Sequence, residues 1–376
     1  MIGGSLESFI GPVHRMAAAL DGQIELVCGA FSSHSGRSRQ TGEALFLDPD
    51  RIYGSFEEMF QKEKSLSEDL RMDFVSVVTP NHLHFLPCKL ALESGFHVLC
   101  EKPLAFSLAE AQELQRVVDK TRLIFGLTHN YTGYPMVKEA REWVKSGRIG
   151  KIRKIIAEYP QGWLAMPLET EGQKQASWRT DPAQSGISCC VGDIGTHAEN
   201  LAEYITGLSI QEVCADIATF VAGRALEDDA NILVRFEQGA KGAILVSQVA
   251  TGEENELKIR IYGEKGGLQW LQSDPNTLTI HYPDRPKEII RAGANYAFLS
   301  ESAKAHCRLP GGHPEGYLES LANLYQNFAR AVLARLENTS ANPLFDFPTI
   351  HDGVRGMQFI EAVIASGKNN ATWVSI

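Results

Sequence analysis

The sequence predicts an α/β protein in two parts: a doubly wound parallel sheet over residues 1–130, then an α/β domain with an open, mainly antiparallel sheet over residues 131–376. Three observations carry this. Apolar runs of strand length alternate with helical patterns as far as Asn130, the order of a parallel sheet with crossover helices. From Lys151 onward, strand patterns follow one another across short connections such as Glu237-Gln238-Gly239-Ala240 and Gly263-Glu264-Lys265-Gly266, which only antiparallel neighbours can use. Between the end of one apolar run and a Ser107-Leu108-Ala109-Glu110 capping box stands Cys100-Glu101-Lys102-Pro103, a cation in a strand-to-helix turn where open α/β sheets bind ligands.

The first part begins with Met1-Ile2-Gly3-Gly4-Ser5, the end of a strand and its turn, followed by a glycine-led helix from Phe9 and Ile10 to Leu20 and a strand over Ile24–Phe31. Strand, glycine turn, helix and strand form the start of a dinucleotide-binding unit, in which glycines let the backbone approach a pyrophosphate at a helix N-terminus. The spacing departs from G-x-G-x-x-G, because Ser5 and Glu7 lie between Gly4 and Gly11, and the first strand reads as cut short. An Asp or Glu at the tip of the second strand would bind a ribose 2′-hydroxyl; here the tip carries Ser32 and Ser33, with Arg37 and Arg39 nearby. A hydroxyl plus Arg suits a 2′-phosphate, so the reading leans to NADP over NAD, unless both Arg residues merely decorate a solvated helix.

Helical patterns cover residues 35–47 and 55–63, and Asp73–Pro80 is a near-continuous apolar strand of central parallel type. Thr79-Pro80-Asn81-His82-Leu83-His84 follows at its carboxyl end and is predicted to line the cofactor site; with no third ligand near His82 and His84, no metal is expected. The strand before Glu101 and Lys102, the helix over 107–120, and a strand over 123–128 complete the sheet, with Asn130 just beyond it.

The second part offers strands at 151–160, 212–220, 229–236, 242–250, 256–262 and 277–282. Such a sheet with helices on one face leaves the other for a homodimer or homotetramer. Asp193 and His197, four apart at the start of a helix, would share one face as a carboxylate–imidazole pair, or else be a helix cap and a packed ring. Gln161, Trp163, Trp178 and Arg179 lie just upstream, aromatic faces and polar groups of the kind that hold sugar rings, or two core tryptophans. His313, in a Gly-rich loop before a long helix, either closes over a substrate or only starts that helix.

The net charge of −10, with no basic block, excludes nucleic acid and anionic membrane surfaces as expected partners. No apolar run reaches bilayer-spanning length and no signal segment opens the chain. Seven cysteines, an odd number without a Cys-x-x-Cys pair, read as reduced core thiols of a cytoplasmic protein.

Glu101-Lys102-Pro103, Asp193-x-x-x-His197, Thr79-Pro80-Asn81-His82-x-His84 and Ser146-Gly147-x-Ile149-Gly150-Lys151 together give a chain that resembles the Gfo/Idh/MocA family, the glucose–fructose oxidoreductase and inositol dehydrogenase group. The resemblance implies an N-terminal Rossmann domain and an NAD(P)-dependent oxidoreductase acting on a sugar, cyclitol or related polyol. On matching positions it implies His197 as general acid/base and Lys102, in a turn often held by a cis Lys–Pro bond, as the cation on the reacting oxygen. Asp193 would then bind a neighbouring hydroxyl, and Asn130 would lie near nicotinamide and substrate. Ser5 stands where the family usually has a glycine. That departure keeps two other readings open: a cofactor-binding sensor without turnover, and a glycoside-processing enzyme that recycles a tightly held NAD.

Overall fold

The computed structural model describes residues 1–376. In chain order the first elements are β1 (Ile2–Gly3), α1 (Ile10–Ala19), α2 (Ser35–Ala44), α3 (Phe56–Ser65), β2 (Phe74–Val78), α4 (Phe85–Glu93), β3 (His97–Cys100), α5 (Leu108–Thr121) and β4 (Phe125–Leu127). Next come α6 (Pro135–Lys145), β5 (Ile152–Pro160), α7 (Lys174–Arg179), α8 (Pro182–Ser185), α9 (Thr196–Thr206), β6 (Ile210–Ala218), β7 (Asp229–Phe236), β8 (Lys241–Ser247) and β9 (Lys258–Gly263). The chain ends with β10 (Gly267–Leu271), β11 (Thr277–His281), β12 (Glu288–Arg291), α10 (Glu301–Ala305), α11 (Tyr317–Leu336), α12 (Ile350–Lys368) and β13 (Val374–Ser375).

Two compact units result. The first holds Met1–Asn130 together with Tyr317–Val354; the second holds Tyr131–Gly316 and Arg355–Ile376. The sequence reading left all of 131–376 in one block. The chain instead returns, because α11 presents Leu321, Tyr325, Phe328 and Val332 at helical spacing and buries them against Ala17 of α1 and Leu99 of β3.

The first unit carries a parallel sheet in the order β1-β2-β3-β4. Burial on both faces explains why β2 and β3 read as apolar runs without alternation. α3 and α5 open on reciprocal caps: Ser55 and Ser107 accept the amides of Glu58 and Glu110, whose carboxylates accept the amides of Gly54 and Phe106. The strand expected over Ile24–Phe31 is reduced to single bridges, Ala30 to Ile2 and Gly29 to Ile52. Its neighbour β1 offers only two residues to pair with.

The second unit is built on nine strands in the order β12-β11-β10-β9-β5-β8-β7-β6-β13. All neighbours are antiparallel except β5 and β8. Along β7, Ala230, Ile232, Val234 and Phe236 are buried while Asn231 and Leu233 face outward, so one sheet face is covered and the other is open. Three strands lack a clear sequence signal: β10 is interrupted by Gln269, β12 follows a charged stretch, and β13 is two residues long. No helix is long and apolar enough to cross a membrane, and all seven cysteines are unpaired.

Candidate active site

In the first unit, β3 delivers Glu101 and Lys102 to the carboxyl edge of the sheet, and the Lys102–Pro103 bond is cis. Glu101 is held by three groups. Its Oε1 lies 2.8 Å from His14 Nε2 and accepts from Thr128 Oγ1 at 2.6 Å, and its Oε2 accepts the Lys102 amide at 3.0 Å. Burial alone would push this carboxyl up. The hydrogen bond and charge of His14, the Lys102 charge and Thr128 outweigh it and hold the pKa down at about 2. His14 is buried, with Nδ1 2.8 Å from the Tyr325 hydroxyl, which is 2.7 Å from Ser76 Oγ. A relay Ser76–Tyr325–His14–Glu101 thus ties β2, α11, α1 and the Lys102 turn together.

The glycine turn is closely packed. Gly3 and Gly4 take φ of +77° and +74°, which side chains rarely adopt, and a Cβ on Gly11 would sit 2.3 Å from Gly4 Cα. Gly4 therefore crosses directly over the start of α1, leaving backbone rather than side chains to meet a phosphate. Ser5 and Ile10 are partly exposed and Phe9 is 67% exposed beside this turn. At the far edge of the sheet, Asn130 is buried and its Nδ2 has no hydrogen-bond partner, an open donor of the kind a bound amide or hydroxyl would satisfy. Packing and donor chemistry both fit a dinucleotide. Ser32 accepts the His34 amide, and Ser33 and Arg37 are exposed, with no carboxylate at that tip. Thr79 and Pro80 are partly exposed and Asn81 is buried at the end of β2.

His84 departs from expectation. Predicted to line the cofactor site, it is fully buried, and its two ring nitrogens each lie 2.8 Å from a carbonyl, those of Pro103 and Thr79. The ring is a brace between two strand-end loops rather than a ligand contact. Burial lowers its pKa against the pull of those carbonyls and of Glu101.

In the second unit, Asp193 lies in a π-helical turn, Val191–Gly195, that runs into α9 with His197 in its first turn. The expected plain α-helical face is thus a widened turn, a feature common at functional sites. Asp193 Oδ2 accepts from Arg179 Nε at 3.0 Å and Gln248 Nε2 at 2.8 Å. The Arg179 guanidinium stacks 4.2 Å from the Trp178 ring and 5.7 Å from Trp163. Trp163 Nε1 donates to Gln161 Oε1, Gln161 Nε2 to Asn255 Oδ1, and the Tyr159 hydroxyl to the same Asn255 oxygen. Tyr131 bonds Tyr159 and stands edge-on to His197 at 4.9 Å. Gln161, Trp163, Trp178, Arg179, Asp193 and His197 are therefore one continuous cluster; both tryptophans are half-buried, and Trp163 also packs against a core of Leu164, Ala176, Cys189 and Leu226. His313 is exposed, bonds the Pro310 carbonyl, and has no hydrogen bond to this cluster.

Sequence reasoning missed the residues that hold these groups. Glu227, buried, accepts from Ser188 Oγ at 2.6 Å and from the amides of Cys189 and Val191 at 3.1 and 3.0 Å, pinning the entry to the π turn. His14, Tyr325, Tyr131 and Gln248 were missed as well. Only His14, three residues after Gly11 on a helix that otherwise buries small side chains, carried a local signal.

Residues 1–146 match the model of the oxidoreductase family with an NAD-binding Rossmann fold, and residues 137–269 match the GFO/IDH/MocA C-terminal domain. An uncharacterized oxidoreductase of Bacillus subtilis, YfiI, is 35% identical over 100% of this chain and 95% of its own length. A levoglucosan dehydrogenase of Pseudarthrobacter phenanthrenivorans is 28% identical over 71% of the chain and 72% of its own length. The crystal structure of an inositol dehydrogenase homolog from Azotobacter vinelandii, complexed with NADH and myo-inositol, superposes with a TM-score of 0.91 at 34% identity, covering 100% of this chain and 96% of that one. With the Rossmann unit, the cis Lys102–Pro103 turn and the nine-stranded sheet in place, the chain belongs to the Gfo/Idh/MocA family of oxidoreductases.

Proposed function

We propose that the protein is an NAD(P)-dependent dehydrogenase that oxidises one hydroxyl-bearing carbon of a cyclitol or sugar. The observation that carries this reading is the Glu101-Lys102-cis-Pro103 turn, whose carboxylate is held ionised beside Lys102 at the edge of the parallel sheet. The nicotinamide, when bound, accepts the hydride. Gly3, Gly4, Ser5, Phe9 and Ile10 hold the pyrophosphate end, Thr79, Pro80 and Asn81 border the dinucleotide, and Asn130 turns its open amide to the nicotinamide or substrate. Ser32, Ser33 and Arg37, with no acidic neighbour at the tip, favour acceptance of a 2′-phosphate.

As the carbon loses hydride, its hydroxyl must lose a proton. His197 takes it, and the Lys102 ammonium steadies the alkoxide. Asp193, paired with Arg179, accepts a hydrogen bond from a neighbouring hydroxyl and so selects ring polyols over simple alcohols. Trp163 and Trp178 present apolar faces to the ring. The open face of the nine-stranded sheet, with Leu233 52% exposed, supports a homodimer or homotetramer.

A fluorescence titration with NADH and with NADPH, followed by a turnover screen of myo-inositol and related ring polyols with both oxidised cofactors, tests the reading. Cofactor binding with reduced nicotinamide accumulating on one ring polyol is expected. Binding without turnover on any polyol or sugar would sink the dehydrogenase.

A further inference from the structure

Gln248 follows β8 directly and is buried completely. Its main chain is fixed twice: its amide donates to Asp228 O at 2.9 Å, and its carbonyl accepts from Leu164 N at 3.0 Å. Its side chain is fixed twice as well. Nε2 donates to Asp193 Oδ2 at 2.8 Å, and Oε1 accepts from the Cys189 thiol at 3.4 Å. Burial pushes the Cys189 thiol up, so the hydrogen stays on sulfur and the amide has one satisfying orientation. Arg179 donates to the same Asp193 oxygen, so two donors converge on one carboxylate atom.

We propose that Gln248 is a positioning residue for Asp193: its amide, locked by Cys189, sets the rotation of the carboxylate that meets the substrate hydroxyl. The inference rests on the role given to Asp193 above. A mere space-filling role is the alternative, and it is separable, because Gln248→Glu keeps the shape but leaves a donor to Asp193 only while the pair holds a proton. Two carboxylates would then face each other and retain one proton between them. The groups around the pair are unchanged in the variant: Arg179, Cys189, His197 on the following turn, Glu227 behind the turn, and Tyr131, whose hydroxyl feels the Asp193 charge.

Two measurements decide the matter. In turnover, Gln248→Glu should lower kcat by about 30-fold or more near neutral pH and give the kcat–pH profile a descending limb that the wild type lacks, since a second charge displaces Asp193 as the shared proton leaves. Gln248→Met should lower kcat without the new limb. Wild-type kcat and profile in Gln248→Glu overturn the proposal. In thermal unfolding, the midpoint drop caused by Gln248→Glu should be larger near about pH 8 than near about pH 5, and this pH dependence should vanish in an Asp193→Asn background. Equal drops in both backgrounds overturn the contact itself. If the wild type oxidises no polyol, the dehydrogenase reading falls, and the unfolding cycle still decides whether Gln248 sets Asp193.

Discussion

The Lys102 turn and the Asp193–His197 segment are held by opposite means. Lys102 sits two residues after a buried strand, and Glu101 beside it is gripped by side chains from α1 and β4's end, with Tyr325 of α11 bonding the α1 histidine behind. The grip is ionic in character, and the carboxylate is stabilised by what surrounds it. Asp193 sits in a widened helical turn whose entry is anchored on a carboxylate, Glu227, that burial disfavours. Its three donors, a hydroxyl and two amides, are neutral. Parallel-sheet strand ends thus present a residue at a fixed edge, whereas a helix start must be fastened by residues some 35–55 positions later in the chain.

The largest effects should come from the groups so presented. Lys102→Ala and His197→Ala should each lower kcat by about 10²–10⁴-fold while leaving NADH binding within a few fold, the loss expected for a charge stabiliser or a proton acceptor. Single-turnover kinetics with the best polyol checks both. A variant at near-wild-type rate removes its residue from the mechanism.

Smaller effects test the supports. His14→Ala takes the imidazole from between Glu101 and Tyr325 and should cost roughly 3–5 kcal/mol of stability, as breaking one side of a buried pair does. Glu227→Ala leaves the amides of Cys189 and Val191 buried without acceptors, at about 1–3 kcal/mol for a group so stranded. Glu227→Gln, which keeps an acceptor, should recover part of that. Denaturant unfolding measures each change, and a larger loss from Glu227→Ala than from His14→Ala would reverse the contrast drawn here.

How much of this was legible follows from the same contrast. The alternating strands and helices, the Lys102 turn and the placing of Asp193 and His197 at a helix start were all visible, because each signal lies within a few neighbouring residues. Gln161, Trp163, Trp178 and Arg179 were visible as types, and the structure makes them one cluster. What escaped was remote. Tyr325 reaches His14 across 311 positions, and Gln248 reaches Asp193 across 55; no local period encodes either. The π turn escaped because a widened turn and a plain helix share a residue pattern. His84 was assigned to the cofactor from its place after a strand end, when its two nitrogens were already committed to carbonyls.

The two anchoring carboxylates should also pull stability in opposite directions with pH. Glu101 has its folded pKa depressed from 4.5 to about 2. Its contribution is therefore full above about 4.5 and is lost as pH falls toward 2, a difference worth roughly 3 kcal/mol at most. Glu227 has its folded pKa raised above 4.5 by burial, only partly offset by Ser188 and the backbone amides. The folded state holds that proton more tightly, so its contribution is full below the unfolded value and is lost as pH rises through the raised one. Between about pH 5 and pH 2, Glu101→Gln should therefore show a flatter stability curve than the wild type, while Glu227→Gln should flatten the curve on the side above the ordinary carboxylate range. Urea unfolding of the three proteins from about pH 2 to about pH 8 covers both windows and reads the slopes directly. Matching slopes in the wild type and Glu101→Gln below pH 5 would mean that His14 and Thr128 do not hold the carboxylate ionised, and the ionic character assigned to the Lys102 support would have to be given up.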